Sequence, residues 1–445
     1  MPRQNKLKLW IAICLSTIGY LLIGYVIKRY ETIPLLSAYV GIFLFYIYLV
    51  YQKEELSVKH IIILGVFFRM LFLSSIPMLS DDFYRFIWDG RLWFNGINPF
   101  AELPVYYMDH PEIAPHGINY GLFNLLNSPT HYTVYPPVPQ IINWLAAWIA
   151  SDSVRASTII MRSAHILAET GTLMLLPKVL KGINFDEKNI AWYALNPLII
   201  IELTGNLHHE ALMIFFLVLF IAQWQKQHTM QAAFALAMSI ASKLLPLVFL
   251  PYIIFKLKGK SRFRFFIVFS ISLLIAFAPL IDASFMKGME NSLLLYYQKF
   301  EFNAGIYYVF REIGYWIKGY NTIAFIGKVF AYFVAASILI ISFIAYKRNW
   351  KLTVVFLWIS ALFALFSLIL HPWYIALVIL FSTLTNYRFG IVWSLLIMGT
   401  YAGYGITGFS EVYWLVAFEY LAVILFIVYE LRNQAKLNAT LKVAP

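Results

Sequence analysis

Cysteine is almost missing. Cys14 is the only one in 445 residues. A single thiol excludes an internal disulfide framework and any cysteine-based metal site, and it leaves the redox compartment open. Charge is scarce as well, at 13% of the chain against 61% hydrophobic residues and a mean hydropathy of +0.72. Soluble domains carry roughly 25% charged residues, so a water-soluble globule is excluded. No fixed-period repeat, low-complexity segment or Rossmann-like soluble domain is visible.

What is present is a series of apolar runs with few charges, many near the length that crosses a bilayer as a helix. They fall near 9–27, 33–51, 60–78, 156–177, 189–203, 210–225, 230–254, 265–281, 322–345, 352–369, 373–386, 389–408 and 412–430. The expected fold is an all-α polytopic membrane protein, one transmembrane domain over 1–445 with about 12–14 transmembrane helices. The run at 230–254 contains "SKLLP", which predicts two short helices meeting at Lys243. The run at 138–150 is too short to span comfortably and reads as re-entrant or interfacial. "MPRQNKLK" before the first run resembles a signal peptide, but that run is long and a second follows, so it reads as an uncleaved anchor.

With the N-terminus inside, twenty-one of the 34 Lys and Arg residues fall on the inner side, Arg3 and Lys442 among them, nine outside, Lys299 among them, and four within spans. This is the positive-inside bias, so the net charge of +12 requires no nucleic-acid partner. In this scheme residues 79–137 form a large extracytoplasmic loop carrying interfacial helices, and 282–321 a second one. Asp81, Asp82, Asp89, "GNLHHE" at 205–210, Lys243 and "HPWY" at 371–374 then all reach the outer face. That convergence predicts a single extracytoplasmic site on a multi-pass cell-membrane protein.

"LSDDFYRFIWDGRLWFNGINPF", residues 79–100, holds three carboxylates, two arginines, two tryptophans and no lysine. Ser80 or Asp81 is placed to cap a helix beginning at Asp82. Asp81 and Arg85 are four apart, as are Arg85 and Asp89, and Asp81, Arg85 and Trp88 would share a face along the membrane surface. One reading is an interfacial amphipathic helix with surface ion pairs. The other is chemical: adjacent carboxylates split roles, one as base and one orienting it. Two aspartates are thin evidence for a divalent ion, which stays open as a cofactor with no ligand set assigned.

"HYTVYPPVPQ" at 131–140 reads as a rigid turn or as an aromatic wall, with Tyr135 in it. His208, His209 and Glu210 lack the H-E-x-x-H spacing of zinc sites and suit capping or polar contact with a substrate. Lys243 interrupts an apolar run. It either snorkels to the interface or meets a phosphate. His371 terminates a helix or acts with Trp373 and Tyr374. Arg69 and Arg162 read as structural.

"DDFYRFIWDGRLWFNGINPF", "YPPVPQ", "NPLIIIELTGNLHHEALM", "SKLLPLVFLP", "KFEFNAGIY" and "HPWYI", in this order over roughly 60–375, resemble bacterial polyprenol-phosphate-mannose-dependent mannosyltransferases of the GT-C glycosyltransferase class. In that class an acidic pair ends a transmembrane helix and begins the first large outer loop, here Asp81 and Asp82. The resemblance implies a GT-C-like bundle and an inverting transfer of a sugar, mannose by resemblance, from a polyprenyl-phosphate donor to a glycan or glycolipid hydroxyl. One departure is that two helices precede the one ending in the pair, where many members have the pair after their first.

The chemistry supports the same assignment. A sugar on a lipid phosphate has an anionic leaving group, so it needs cations and a base for the acceptor proton. Arg85, Arg91, Lys243 and His371 are candidate cations, and Asp81 or Asp82 the base. Trp88, Asp89, Tyr135, His208, His209, Glu210, Trp373 and Tyr374 are candidate substrate contacts. The expected partners are the donor, the acceptor and membrane lipids. The competing readings are a flippase of lipid-linked sugars, which should show paired halves, and an oligosaccharide polymerase or ligase.

Overall fold

The computed structural model describes residues 3–298 and 300–443. Lys299, counted among the outer charges, and the side chains of Arg3 and Lys442, counted among the inner ones, lie outside the described residues. The chain is an all-α membrane protein. Among the described residues the only sheet is a two-stranded hairpin, Tyr404–Gly405 with Gly408–Phe409. Lys6–Tyr25, Thr32–Tyr51, Val154–Gly182, Ile323–Lys347 and Tyr413–Lys436 are long and apolar enough to cross a bilayer. A sixth crossing arises if Ile199–Gly205 and Glu210–Gln225 form one span bent by 113°. Other apolar runs arrive as shorter helices, among them Thr229–Ser242, Leu352–Leu365 and Phe389–Gly403.

Local chemistry explains the pieces. The run expected at 60–78 is helical only over Val58–Met70, capped by the Ser57 hydroxyl, which accepts from the His60 N–H at 3.3 Å. Beyond it the Ser75 hydroxyl turns back onto the Phe72 carbonyl, and Pro77 disfavours helix at the residue before it. The chain therefore reaches Asp81 through an irregular segment rather than on a helix end. At 230–254 the expected break is present. Lys243 is extended (φ −160°, ψ 137°) between Thr229–Ser242 and the turn Leu245–Phe249.

Two arginines stitch the helices. Arg69 binds Glu169 at 2.8 Å and donates to the carbonyls of Gly65 and Ala194. Arg162 donates to the carbonyls of Leu73, Ser75, Thr204 and Gly205. Inside a bilayer such charges persist only when paired or satisfied by backbone, and both are fully buried.

The segments assigned to one membrane side touch one another. The Ser292 hydroxyl donates to the Thr133 carbonyl at 3.2 Å, and Asn98 Nδ2 to Leu280 at 2.9 Å. The Phe302 N–H donates to Leu368 at 3.0 Å and the Leu370 N–H to Phe302 at 2.8 Å. Residues 79–137 thus meet 282–321, which meets the stretch before "HPWY". The segments that the charge scheme put on the inner side likewise meet, with Lys188 on Glu54 at 3.2 Å and Lys256 on Asn349 at 2.6 Å.

The helix Asp82–Phe94 corrects an expectation. It does not lie exposed along the surface: Phe83 and the whole stretch from Arg85 to Leu92 are buried. It packs against Pro137–Ala150 so closely that a Cβ at Gly90 would stand 2.2 Å from the Asn143 carbonyl oxygen. Only glycine permits that approach. The 137–150 helix turns Gln140 and Asn143 inward and leaves Trp144 and Trp148 exposed.

Candidate active site

The acidic pair sits where the irregular segment 75–81 meets the helix Asp82–Phe94. The Leu79 N–H donates to Asn206 Oδ1 at 3.4 Å, and Ser80 Oγ accepts from the Asp82 N–H at 3.3 Å. Ser80, not Asp81, therefore makes the side-chain turn at the helix start, since the Asp81 carboxylate makes no cap. Asp81 binds Arg29 at 2.5 Å, not Arg85. Asp82 accepts at Oδ1 from Asn127 Nδ2 at 2.7 Å, leaving Oδ2 open. Both aspartates are partly exposed.

The second element is the bend at 205–210. Ile199–Gly205 is a wide π-helical turn, a form frequent at functional sites. Leu207 follows with φ +64°, a left-handed conformation that costs a bulky residue about 1–3 kcal/mol. The bend turns His208 and His209 to opposite partners. His208 stacks on Trp373 at 3.5 Å between ring centroids, and Trp373 stacks on His371 at 4.4 Å. His208 Nε2 lies 3.4 Å from Glu202 Oε2. Glu202 in turn accepts from Asn206 at 3.0 Å and from the Tyr401 hydroxyl at 2.8 Å. His209 packs on Phe86 and Tyr135 and shares a 3.2 Å hydrogen bond with His165.

Lys243 supplies the third element. Its ammonium is ion-paired with Glu210 and lies 4.3 Å from the centre of the Tyr374 ring. Glu210 is thus the partner that no residue within a helical turn of Lys243 provides. The charges of Asp82, Glu210 and Lys243 all act on the His208 ring, and those of Arg29, Asp81, Asp82 and Glu202 on Tyr404. Of the residues that the charge scheme sent to one face, His208, Glu210, Lys243, His371, Trp373 and Tyr374 are spatial neighbours, while Asp89 lies apart with Arg85, Thr133 and Gln140. Burial, followed by His208 and Lys243, pushes the His371 pKa below its ordinary value. The imidazole stays neutral, so any phosphate contact from it is a hydrogen bond rather than an ion pair.

Other candidates build the frame. Arg85 binds Asp89 at 2.7 Å and the His131 carbonyl at 2.7 Å. Asp89 also accepts from Thr133 and from Gln140. Arg91, its pKa lowered by burial, donates to the Gly117 carbonyl at 2.7 Å. Trp88 is fully buried against Tyr107 and Phe123. These four pin the 103–140 loop to the helix. Among the described residues no three His, Cys, Asp or Glu side chains come together to hold a metal ion.

Arg29, Glu202, Tyr401 and Tyr404 join the site without having been singled out in the sequence. Glu202 carried a usable signal, a carboxylate inside an apolar run. The two tyrosines carried none, being common in such runs.

The chain is an all-α polytopic membrane bundle with an acidic pair at the start of the 79–137 segment. The family follows from comparison. Residues 21–258 match the alpha-(1->6)-mannopyranosyltransferase N-terminal domain family, and the chain belongs to it. Alpha-(1->6)-mannopyranosyltransferase A of Mycobacterium tuberculosis (strain ATCC 25618 / H37Rv) is 24% identical over 226 residues, 49% of this chain and 42% of that protein. Alpha-(1->6)-mannopyranosyltransferase Rv1459c of the same organism is 24% identical over 147 residues, 32% of this chain and 23% of that protein. The chain thus aligns with less than half the length of each of these curated relatives. The matched region contains Arg29, the acidic pair, His208, Glu210 and Lys243, whereas "HPWY" and Tyr404 lie beyond it.

Proposed function

We propose that the protein transfers mannose from a polyprenyl-phosphate donor to a glycan or glycolipid hydroxyl on the extracytoplasmic face. The observation that carries this reading is the gathering of Asp82, His208, Glu210, Lys243 and the stacked His371–Trp373 pair around one bend in a chain of this family. Asp82 is the base, because its Oδ2 is open and its partner Asn127 is neutral. Asp81, held by Arg29, orients the acceptor side.

The acceptor hydroxyl oxygen attacks the anomeric carbon and its proton passes to Asp82. The bond from that carbon to the phosphate oxygen breaks, and its electron pair leaves with the polyprenyl phosphate. Lys243 receives the developing charge, and the neutral His371 donates a hydrogen bond. A single displacement inverts the centre. The α linkage in the relatives' names would therefore come from a β-linked donor.

Transfer of radiolabelled mannose from polyprenyl-phosphate mannose to a glycan acceptor by the purified protein tests the reading. Movement of the intact donor across a vesicle membrane with no transfer would favour the flippase instead. For the face, Glu112→Cys in a Cys14→Ser background labels from outside intact cells and Lys258→Cys does not. The reverse labelling would overturn the placement. Both positions are exposed, whereas Pro104, a nearby choice on sequence alone, is buried.

A further inference from the structure

The hairpin Tyr404–Gly405/Gly408–Phe409 and the start of the last long helix make one wall of an open groove. Tyr30 and Thr32 make the other. No candidate residue above except Tyr404 belongs to it. Tyr30, Tyr413 and Trp414 are exposed at its rim, with Trp414 at 69%. Between the rings stand the hydroxyls of Thr32, Thr407 and Ser410 and the carboxylate of Glu411. Glu411 is held in place, accepting from the Asn303 N–H at 2.9 Å and the Tyr308 hydroxyl at 2.6 Å. Gly405 and Gly408 keep the floor open, and Gly408 at φ +138° takes a conformation that side chains avoid.

Aromatic residues at a membrane surface are common as interfacial anchors. What separates this groove from an anchor belt is Arg29. Its guanidinium lies 5.1 Å from the centre of the Tyr404 ring and is ion-paired with Asp81 at 2.5 Å. The wall of the groove is thus linked through Arg29 to the acidic pair. Ring faces interleaved with short polar groups suit a carbohydrate, whose C–H faces pack on aromatics while its hydroxyls find donors and acceptors.

We propose that this groove is the acceptor subsite. It binds the sugar units of the acceptor glycan remote from the reacting hydroxyl and leads that hydroxyl past Arg29 to Asp82. The inference rests on the mannosyltransferase reading and adds to it the substrate class that the hairpin recognises.

The test uses the full chain in detergent and an α-(1→6)-linked mannotriose, titrated by calorimetry and as acceptor in the transfer assay. Trp414→Ala and Tyr30→Ala change exposed side chains, so the fold is kept. Each is expected to weaken mannotriose binding and raise the acceptor KM by about 10-fold, the effect of losing about 1.4 kcal/mol. The donor KM should not move, and Trp144→Ala, an exposed aromatic elsewhere, should behave as wild type. Unchanged mannotriose binding in both variants overturns the proposal, as does an effect on the donor KM alone. If the wild type transfers no mannose, the calorimetric titration still reports on the groove, which separates this failure from failure of the mannosyltransferase reading.

Discussion

Two buried ionic clusters sit a few turns apart along Val154–Gly182 and the 199–210 bend, and they are built on opposite principles. Around Arg69 every strong group is answered: Glu169 takes two of its N–H groups, the carbonyls of Gly65 and Ala194 a third nitrogen, and the Tyr193 hydroxyl donates to the other Glu169 oxygen at 2.8 Å. Around Lys243 the answer is incomplete. Glu210 pairs with the ammonium, but His208 Nε2, His209 Nε2 and His371 Nδ1 are buried without a hydrogen-bond partner. Unsatisfied buried polar groups cost about 1–3 kcal/mol each. The proposed donor site is the cluster left short. The contrast separates a charge that is fully answered from one that is not, although both lie in apolar runs.

The largest effect expected from breaking this comparison is on the satisfied side. Arg69→Met leaves Glu169 buried and unpaired and should lower unfolding stability by about 3–5 kcal/mol. Thermal unfolding in detergent checks this. The double change Arg69→Met with Glu169→Leu should recover most of the loss. If the single variant is as stable as wild type, the cluster is not structural.

Next in size is the acidic pair. Asp82→Asn should reduce turnover by about 100-fold, the low end for loss of a general base, with little change in melting temperature. Asp81→Asn should lower it less, because it removes an orienting partner. Equal turnover in wild type and both variants would reduce the pair to a helix start.

A smaller and more specific effect is expected at the unsatisfied cluster. Lys243→Ala should weaken donor binding by about 10-fold, near 1.4 kcal/mol, and acceptor binding far less. Lys243→Arg should recover part of the loss, since the charge survives in a different geometry. Separate titrations of donor and acceptor decide this. An unchanged donor affinity would make Lys243 a partner of Glu210 and nothing more.

The smallest effect is in pH. The folded-state pKa of His371 is lowered below the ordinary 6.5, so the unfolded chain takes up the proton first. Its contribution to stability is complete above that value and is lost as pH falls below it. The melting temperature should drop between about pH 7 and about pH 5, and His371→Gln should make the drop shallower. An identical slope in the variant would remove His371 from the account.

The acidic pair, the histidine bend, the broken helix at Lys243 and "HPWY" were all legible in sequence. Each is a polar interruption of an apolar run, and hydrophobic patterning makes such interruptions visible. The pairing of Lys243 with Glu210 was not legible, because the two are 33 positions apart in the chain and meet only when two helices pack. For the same reason Asp81 with Arg29 replaced the expected Asp81 with Arg85. Spacing of four makes a pair geometrically available, but Arg85 is drawn inward by Asp89 and the His131 carbonyl.

Composition and charge placement by themselves determined that this is an all-α membrane protein, because apolar length and lysine–arginine bias are properties of the chain that need no partner. They also marked the segments that converge. Only the tertiary structure decided which charges are answered and which remain short, and that Asp82–Phe94 is a buried strut rather than a surface helix. Both depend on contacts between distant segments, where burial sets the cost of an unpaired group and packing alone supplies its partner.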